Sequence, residues 1–149
     1  MKIAIGADHA GFAYKEALKP YLAQLGHEVS DLGATSAVPS DYPDFAGPVA
    51  KAVGEGRADR GVLVCGSGVG MAVAANKIAG VRAAVVLDKV SAEMSRRHND
   101  VNVVCFGERL QSIDDIKPLL RLWMDTPFDG GRHLPRIEKI RQLESRSPQ

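Results

Sequence analysis

Gly61–Gly70, which reads GVLVCGSGVG, starts as an apolar run and ends in three alternate glycines, and the Ala-rich segment 71–77 follows it. A short apolar run is typical of a strand that is buried on both faces. A segment rich in alanine is typical of a helix. The stretch therefore predicts a strand, a tight glycine turn and a helix in that order.

A thiol and a hydroxyl, Cys65 and Ser67, lie where this strand breaks. Backbone N–H groups at a helix N-terminus bind anions readily, and glycine leaves them accessible. The positive end of the helix also lowers the pKa of a nearby cysteine and favours its thiolate. A reactive site and a plain turn around a half-buried cysteine both agree with this stretch alone.

Similar strand and helix patterns alternate along the rest of the chain. We expect strands at 2–6, 27–32, 61–65, 81–87 and 101–107, helices between them, and a last helix from about Pro135 to Glu144. Five such units predict an α/β fold, a Rossmann-like three-layer sandwich with a five-stranded parallel sheet and an added C-terminal helix. We expect a single domain over 1–149, the common strand order 2-1-3-4-5, and a frayed polar tail over 145–149.

Two unusual turns are predicted to face one crevice. Ligands bind to such sheets where the strand order reverses, which is between strands 1 and 3 in the expected order. The turn after strand 1 carries Asp8 and His9, and the turn after strand 3 carries Cys65 and its glycines. This coincidence favours a functional site, although Asp8 could instead cap the next helix beside an incidental histidine.

Two further polar groups lie elsewhere in the chain. His98 and Asn99 fall between a helix and strand 5, at the opposite edge of the sheet from the crevice, and a strand of five residues spans roughly 17 Å. They either cap a helix or serve the crevice of a second subunit. Arg132 and Arg136 are four residues apart and could clamp a phosphate from one helix face, but their spacing alone favours a solvated face.

The composition excludes several classes of function. The 149 residues are 45% hydrophobic and 25% charged with a net charge of +1, which argues against binding to nucleic acid or to a membrane surface. We expect no membrane span and no signal peptide. The two cysteines indicate free thiols in a reducing cytoplasm, and the absence of CxxC or HExxH argues against a metal site. The GxGxG spacing after the third strand differs from a dinucleotide-binding fingerprint.

Six motifs in order resemble the ribose-5-phosphate isomerase B family, which includes galactose-6-phosphate isomerase subunits and allose-6-phosphate isomerases. The motifs are Ile5–Gly11, Asp41–Pro43, Cys65–Gly70, Ser95–Asp100, Phe106–Arg109 and Gly130–His133. The resemblance runs from residue 1 to about 144. It implies sugar-phosphate aldose–ketose isomerisation without a cofactor, and a homodimer with active sites shared between chains. Whether two dimers pair into a tetramer is left open.

The resemblance also assigns roles to residues. Cys65 is the base that takes a proton from the sugar carbon, and His98 is the acid that assists ring opening, with Asn99 beside it. The enediolate oxygens are held by Ser67 and by the amides of Gly66, Ser67, Gly68, Val69 and Gly70. Asp8 contacts the sugar hydroxyls, and Tyr42 lies in the substrate site. The phosphate is bound by His9, Arg132 and Arg136, helped by Arg109. Some family members place a glutamate base after the last glycine, where this chain has Met71, so it resembles the cysteine-base subgroup.

We therefore predict an enzyme that interconverts ribose 5-phosphate and ribulose 5-phosphate through an enediolate. The reaction needs a base at a carbon-bound proton and stabilisation of the oxyanion, and the residue types present supply both. The alternative within this chemistry is an isomerase of a six-carbon sugar phosphate, allose 6-phosphate or galactose 6-phosphate. The alternative from another class is a non-catalytic, flavodoxin-like ligand-binding module.

Overall fold

The computed structural model describes residues 1–144, and the polar tail 145–149, for which fraying was expected, lies outside the described residues. Strands and helices alternate as predicted, and a helix ends the described chain. The strands are β1 (Lys2–Ala7), β2 (Glu28–Asp31), β3 (Arg60–Cys65), β4 (Ala83–Val85) and β5 (Val103–Gly107). The helices are α1 (Phe12–Gln24), α2 (Pro43–Gly54), α3 (Val69–Ala75), α4 (Lys89–Arg97), α5 (Ile113–Asp125) and α6 (Leu134–Glu144). A short 3₁₀ turn, Gly131–His133, precedes α6.

The five strands form one parallel sheet in the order β2-β1-β3-β5-β4. The predicted order 2-1-3-4-5 is wrong, because β5 lies between β3 and β4. All five residues of β5 are buried, as a central strand requires, whereas the three residues of β4 are only half-buried and suit an edge. The strand order still reverses between β1 and β3. Because β5 is the neighbour of β3, the turn after β5 lies next to the glycine turn.

Helices cover both faces of the sheet and enclose two apolar layers. Alternate residues of a strand point to opposite faces, so Val62 and Val64 join the layer under α1, α4 and α5. Leu63 and Cys65 join the other layer, under α2 and α3. Within residues 1–144, no helix has the length and apolar character needed to cross a bilayer. Cys65 thus stands at the last residue of a buried strand, at the rim of the apolar layer.

Candidate active site

A cavity of about 210 Å³ opens where β1 and β3 end. Four separate parts of the chain line it, with Asp8, His9, Ala10, Tyr42, Cys65, Gly66, Ser67, Gly70 and Arg109. All of these except Ala10 are predicted site residues. Arg109 reaches the cavity because Gly107 of β5 pairs with Cys65 of β3 in the sheet register.

The thiol of Cys65 is held by a backbone donor of the turn that follows it. Its Sγ accepts a hydrogen bond from the N–H of Gly68 at 3.1 Å, and the residue is only 4% exposed. Gly68 has φ +78°, and a Cβ there would lie 3.0 Å from the backbone of Phe106. Glycine is therefore required at this position for the N–H to point at the sulfur.

Cys105 lies in the same apolar layer as Cys65 and is wholly buried. Burial raises the pKa of the Cys105 thiol far above its ordinary value, and the neighbouring Cys65 adds to the rise. Cys105 is therefore a neutral core residue, as the sequence indicates. Both cysteines are free, as expected.

Backbone amides of the glycine turn fall into two groups. The Gly68 amide donates to Cys65 Sγ, and the Val69 amide donates to Ser67 Oγ at 3.3 Å. Within the described chain, the amides of Gly66, Ser67 and Gly70 donate to no acceptor, and all three residues line the cavity. These free N–H groups can bind an oxyanion of a ligand.

Asp8 holds the turn that precedes α1 and keeps one oxygen free. Its Oδ1 accepts the N–H groups of Ala10 at 3.0 Å and Gly11 at 3.1 Å. Its Oδ2 accepts no hydrogen bond from any residue between 1 and 144, so it is available to a ligand hydroxyl. The N-cap of α1 is Gly11, with no side-chain cap hydrogen bond, so the interpretation of Asp8 as the helix cap is wrong, and Asp8 instead holds the turn before the helix. Sequence reasoning missed Ala10, whose N–H is bound to Asp8.

His9 is oriented by the loop before α2. Its Nδ1 lies 3.1 Å from both the backbone N and the carbonyl oxygen of Ser40, and its backbone N–H donates to Ser40 Oγ at 3.2 Å. Nδ1 is therefore occupied by the Ser40 backbone, and Nε2 is the ring nitrogen that remains for a ligand in the cavity.

Arg109 and Tyr42 pack directly on glycines of the turn. A Cβ on Gly66 would lie 3.3 Å from the Arg109 guanidinium, and one on Gly70 would lie 2.7 Å from the Tyr42 ring. The Arg109 N–H also donates to the Gly66 carbonyl at 2.9 Å. A permanent positive charge is thus fixed beside the thiol and the free amides, where it favours an anionic ligand.

Six predicted site residues do not line this cavity: Gly68 and Val69, whose amides are bound within the turn, and His98, Asn99, Arg132 and Arg136. His98 follows α4 at the opposite end of the sheet, as predicted, and its ring stacks on that of His133 with centroids 4.4 Å apart. Arg132 lies in the 3₁₀ turn and Arg136 in α6, so they do not belong to one regular helix. Asn99 borders a different cavity of about 770 Å³ beneath α6.

His133 forms a second cluster with His98, Arg132 and Arg136, and sequence reasoning gave it no role of its own. It is buried, and burial lowers its pKa, which the nearby His98, Arg132 and Arg136 lower further. The signals for it in the sequence were its place in the basic cluster with Arg132 and Arg136 and in the motif Gly130–His133.

Potential metal ligands of His98, Asp129 and His133 lie within 4.8 Å of one another. The two imidazole planes are only 16° apart and face each other. A metal ion lies in the plane of each imidazole that binds it, so two stacked rings do not direct their nitrogens at one ion. The arrangement suits an imidazole stack, and the absence of a metal site stays a prediction.

The chain is similar to proteins of known function. Residues 3–140 match the family described as ribose/galactose isomerase. The chain is 45% identical to ribose-5-phosphate isomerase B of Escherichia coli, over 97% of each chain. It is 39% identical to a D-erythrulose-4-phosphate isomerase of Pectobacterium atrosepticum, over 97% of this chain and 95% of that one.

Solved structures are also similar to this chain along most of its length. Ribose-5-phosphate isomerase B of Clostridium thermocellum superposes with a TM-score of 0.95 at 43% identity, covering 97% of this chain and 98% of that one. The Mycoplasma genitalium enzyme with bound ribulose 5-phosphate superposes with a TM-score of 0.93 at 36% identity, covering 98% and 97%.

Proposed function

The chain belongs to the ribose/galactose isomerase family, and from that premise we propose how its own residues carry out the reaction. It is an aldose–ketose isomerase that interconverts ribose 5-phosphate and ribulose 5-phosphate. The observation that carries the mechanism is the Cys65 thiol, held by the Gly68 amide in a cavity whose wall presents free N–H groups.

Cys65 acts as the base in this proposal. Its thiolate takes the proton from C2 of the open-chain aldose, the electron pair forms the C1–C2 double bond, and the C1 oxygen becomes an enediolate oxygen. Return of that proton to C1, together with transfer of the O2 hydroxyl proton to O1, gives the ketose with its carbonyl at C2. The free amides of Gly66, Ser67 and Gly70 donate to the oxygen that gains charge, which lowers the barrier where the charge develops.

The other cavity residues hold the sugar. Asp8 accepts a sugar hydroxyl through Oδ2, and Tyr42 borders the space over Gly70. His9 and Arg109 supply two of the donors for the phosphate. Binding energy from this remote, non-reacting group orients the carbon that reacts.

A second subunit completes the site. His98 lies beyond the reach of Cys65 in one chain because a five-residue strand separates the two ends of the sheet by roughly 17 Å. We infer a homodimer in which His98 opens the sugar ring in the partner's crevice, with Asn99 beside it. Arg132 and Arg136 then complete the phosphate site.

The last helix supports an assembly of this kind. α6 has no buried residue, and its apolar side chains Leu134, Ile140 and Leu143 are exposed. An isolated helix of this length is marginally stable in water, so packing must support it. Because α6 follows directly on Arg132 and His133, a partner subunit that covers α6 also comes close to the second cluster.

Turnover by the purified protein tests the proposal. We expect conversion of ribose 5-phosphate in the presence of EDTA, with no metal or nucleotide added, because the named residues supply base, acid and oxyanion donors. A coupled assay at matched enzyme concentrations with and without EDTA measures this. Complete loss in EDTA that a divalent ion restores would contradict the metal-free mechanism.

Two other sugar phosphates serve as controls for the assay with ribose 5-phosphate. Ribose 5-phosphate should give a higher kcat/KM than allose 6-phosphate or erythrulose 4-phosphate, the substrate of a relative that is 39% identical. A higher value for allose 6-phosphate would favour the six-carbon alternative. No turnover of any of the three would favour the non-catalytic module.

A further inference from the structure

The turn 98–101, which carries His98, is held by a buried arginine of α4. Arg96 is 5% exposed, and its Nη1 donates to Asp100 Oδ1 at 2.8 Å and to the Val101 carbonyl at 2.7 Å. Its Nε donates to the Thr126 carbonyl at 3.2 Å, at the end of α5. One guanidinium therefore ties this turn to the segment that leads to the 3₁₀ turn.

A second arginine holds the same turn from the loop before β4. Nε of Arg82 lies 3.0 Å from the carbonyl oxygens of both Asn99 and Asp100, and its Nη2 donates to Asp100 Oδ2 at 3.2 Å. Each carboxylate oxygen of Asp100 is thus bound by a different arginine. Arg82 and Arg96 converge on one side chain.

Asp100 needs this support because its backbone is in the left-handed region. Its φ is +45°, and it is the sole non-glycine residue with positive φ among the described residues. That conformation is unfavourable for a residue with a side chain, although Asp and Asn tolerate it better than most. Two charge-assisted hydrogen bonds on the carboxylate fix it, and with it the path of the chain at His98.

The Arg96 guanidinium is itself held in place. It lies 5.8 Å from the ring centroid of Trp123, which is fully buried, and the Arg60 guanidinium lies 5.0 Å from the same ring. Replacing a buried ionic group by apolar residues is often neutral or stabilising. A buried arginine at this position therefore suggests a role other than stability.

We propose that Arg96 and Arg82 are positioning residues that aim the His98 imidazole through Asp100. The inference rests on the proposed role of His98 as the acid in ring opening. Proton transfer to the ring oxygen requires His98 to come within about 2.6–3.2 Å of it, so a small displacement of the turn lowers the rate. The proton abstraction by Cys65 is independent of this turn.

A double-mutant cycle tests whether Arg96 acts through His98. Arg96→Lys keeps the charge but loses the fork that binds Asp100 and the two carbonyls. We expect it to lower kcat/KM for ribose 5-phosphate by about tenfold or more. In a His98→Asn background, Arg96→Lys should lower kcat/KM by less than about threefold, because the acid that Arg96 positions is no longer present.

Hydrogen exchange at C1 of ribulose 5-phosphate in D₂O is the second readout. This ketose has its O5 esterified and stays open-chain, so exchange needs Cys65 but no ring opening. The Arg96→Lys variant should exchange the C1 hydrogen at a rate within about threefold of the wild-type rate. A general structural defect would lower the rates of exchange and of isomerisation together. Arg121→Lys is the matched control, since Arg121 is 65% exposed and pairs only with Asp125 among the described residues.

Asp100→Asn repeats the test if Arg96→Lys fails to fold, because asparagine keeps the shape and tolerates positive φ. Equal losses with and without His98, or a parallel loss of C1 exchange, would overturn the positioning role. If His98→Asn alone keeps wild-type activity, then His98 is not the acid, and both the proposed function at that residue and this inference fail. Impaired His98→Asn with additive losses would overturn the inference alone.

Discussion

Cys65 and Cys105 are two thiols in one apolar layer with opposite expected behaviour. Cys65 lies at the cavity and receives a hydrogen bond from Gly68. Cys105 is fully buried and has a raised pKa, so it stays protonated. The pair provides a natural test of the base and its control in the same protein.

Cys65→Ala should lower kcat by several orders of magnitude and change KM little, because it removes a group that acts in the transition state. Steady-state kinetics with ribose 5-phosphate measures this. Cys105→Ala should keep kcat and lose about 1 kcal/mol of stability through the small cavity that it leaves. Near-normal turnover of Cys65→Ala would show that Cys65 is only a packing residue.

Iodoacetamide should alkylate Cys65, and bound substrate should protect it.

The residue patterns predicted most of the residues that line the cavity, but not the hydrogen bonds that hold them in place. The Asp8–His9 turn and the glycine turn were found because their residue types are unusual at strand ends. The contact of His9 with Ser40 was not predictable, because it joins residues 31 positions apart through an irregular loop. Which amides of the glycine turn are bound and which are free also depends on the αL conformation of Gly68. The sequence permits that conformation but does not require it.

At the scale of elements, the error in strand order has a specific cause. Both candidate strands are apolar, and only their burial separates a central strand from an edge strand. The 81–87 segment contains Arg82 and forms just three strand residues, whereas every residue of β5 is buried. Gly107 then permits the close approach, because a Cβ there would lie 2.6 Å from the backbone of Ser67.

An ion pair joins α1 to the end of β2 and makes stability depend on acid. Lys15 Nζ, whose side chain is fully buried, donates to both oxygens of Asp31 at 2.8 and 2.6 Å. Burial raises the pKa of Asp31, but hydrogen bonds from Lys15, Lys19 and the Gly33 amide outweigh it and lower the pKa to about 2. Since the folded pKa lies below the ordinary 3.8, this stabilisation is complete above that value and is lost as the pH falls through about 2.

Asp31→Asn should therefore lower the free energy of unfolding at pH 7 by about 1–3 kcal/mol, less than for a fully buried pair because Asp31 is partly exposed. Urea unfolding from pH 7 to pH 2 measures it, and the difference from wild type should shrink below pH 4. Glu55→Gln breaks the exposed pair with Arg57 and should change stability by less than about 0.5 kcal/mol. A difference for Asp31→Asn that is unchanged at pH 2 would contradict the linkage.

At the scale of the whole molecule, the predicted residues form two separate clusters. Cys65, Asp8 and His9 meet at one end of the sheet, and His98 meets His133 at the other. The sequence predicted this separation despite the wrong strand order, because each helix returns the chain to the edge where the next strand starts. Sequence reasoning could not predict the stack of His98 on His133, which depends on how the segment after α5 folds back.

In the proposed dimer, one active site joins Cys65 of one chain to His98 of another, and subunit complementation measures this sharing. Cys65→Ala and His98→Ala should each be nearly inactive alone. When the two are unfolded and refolded together in equal amounts, half of the dimers are mixed and each mixed dimer has one intact site, so roughly a quarter of wild-type activity should return. Activity that stays at the sum of the separate mutants, with mixed dimers demonstrated by native mass spectrometry, would contradict the shared site.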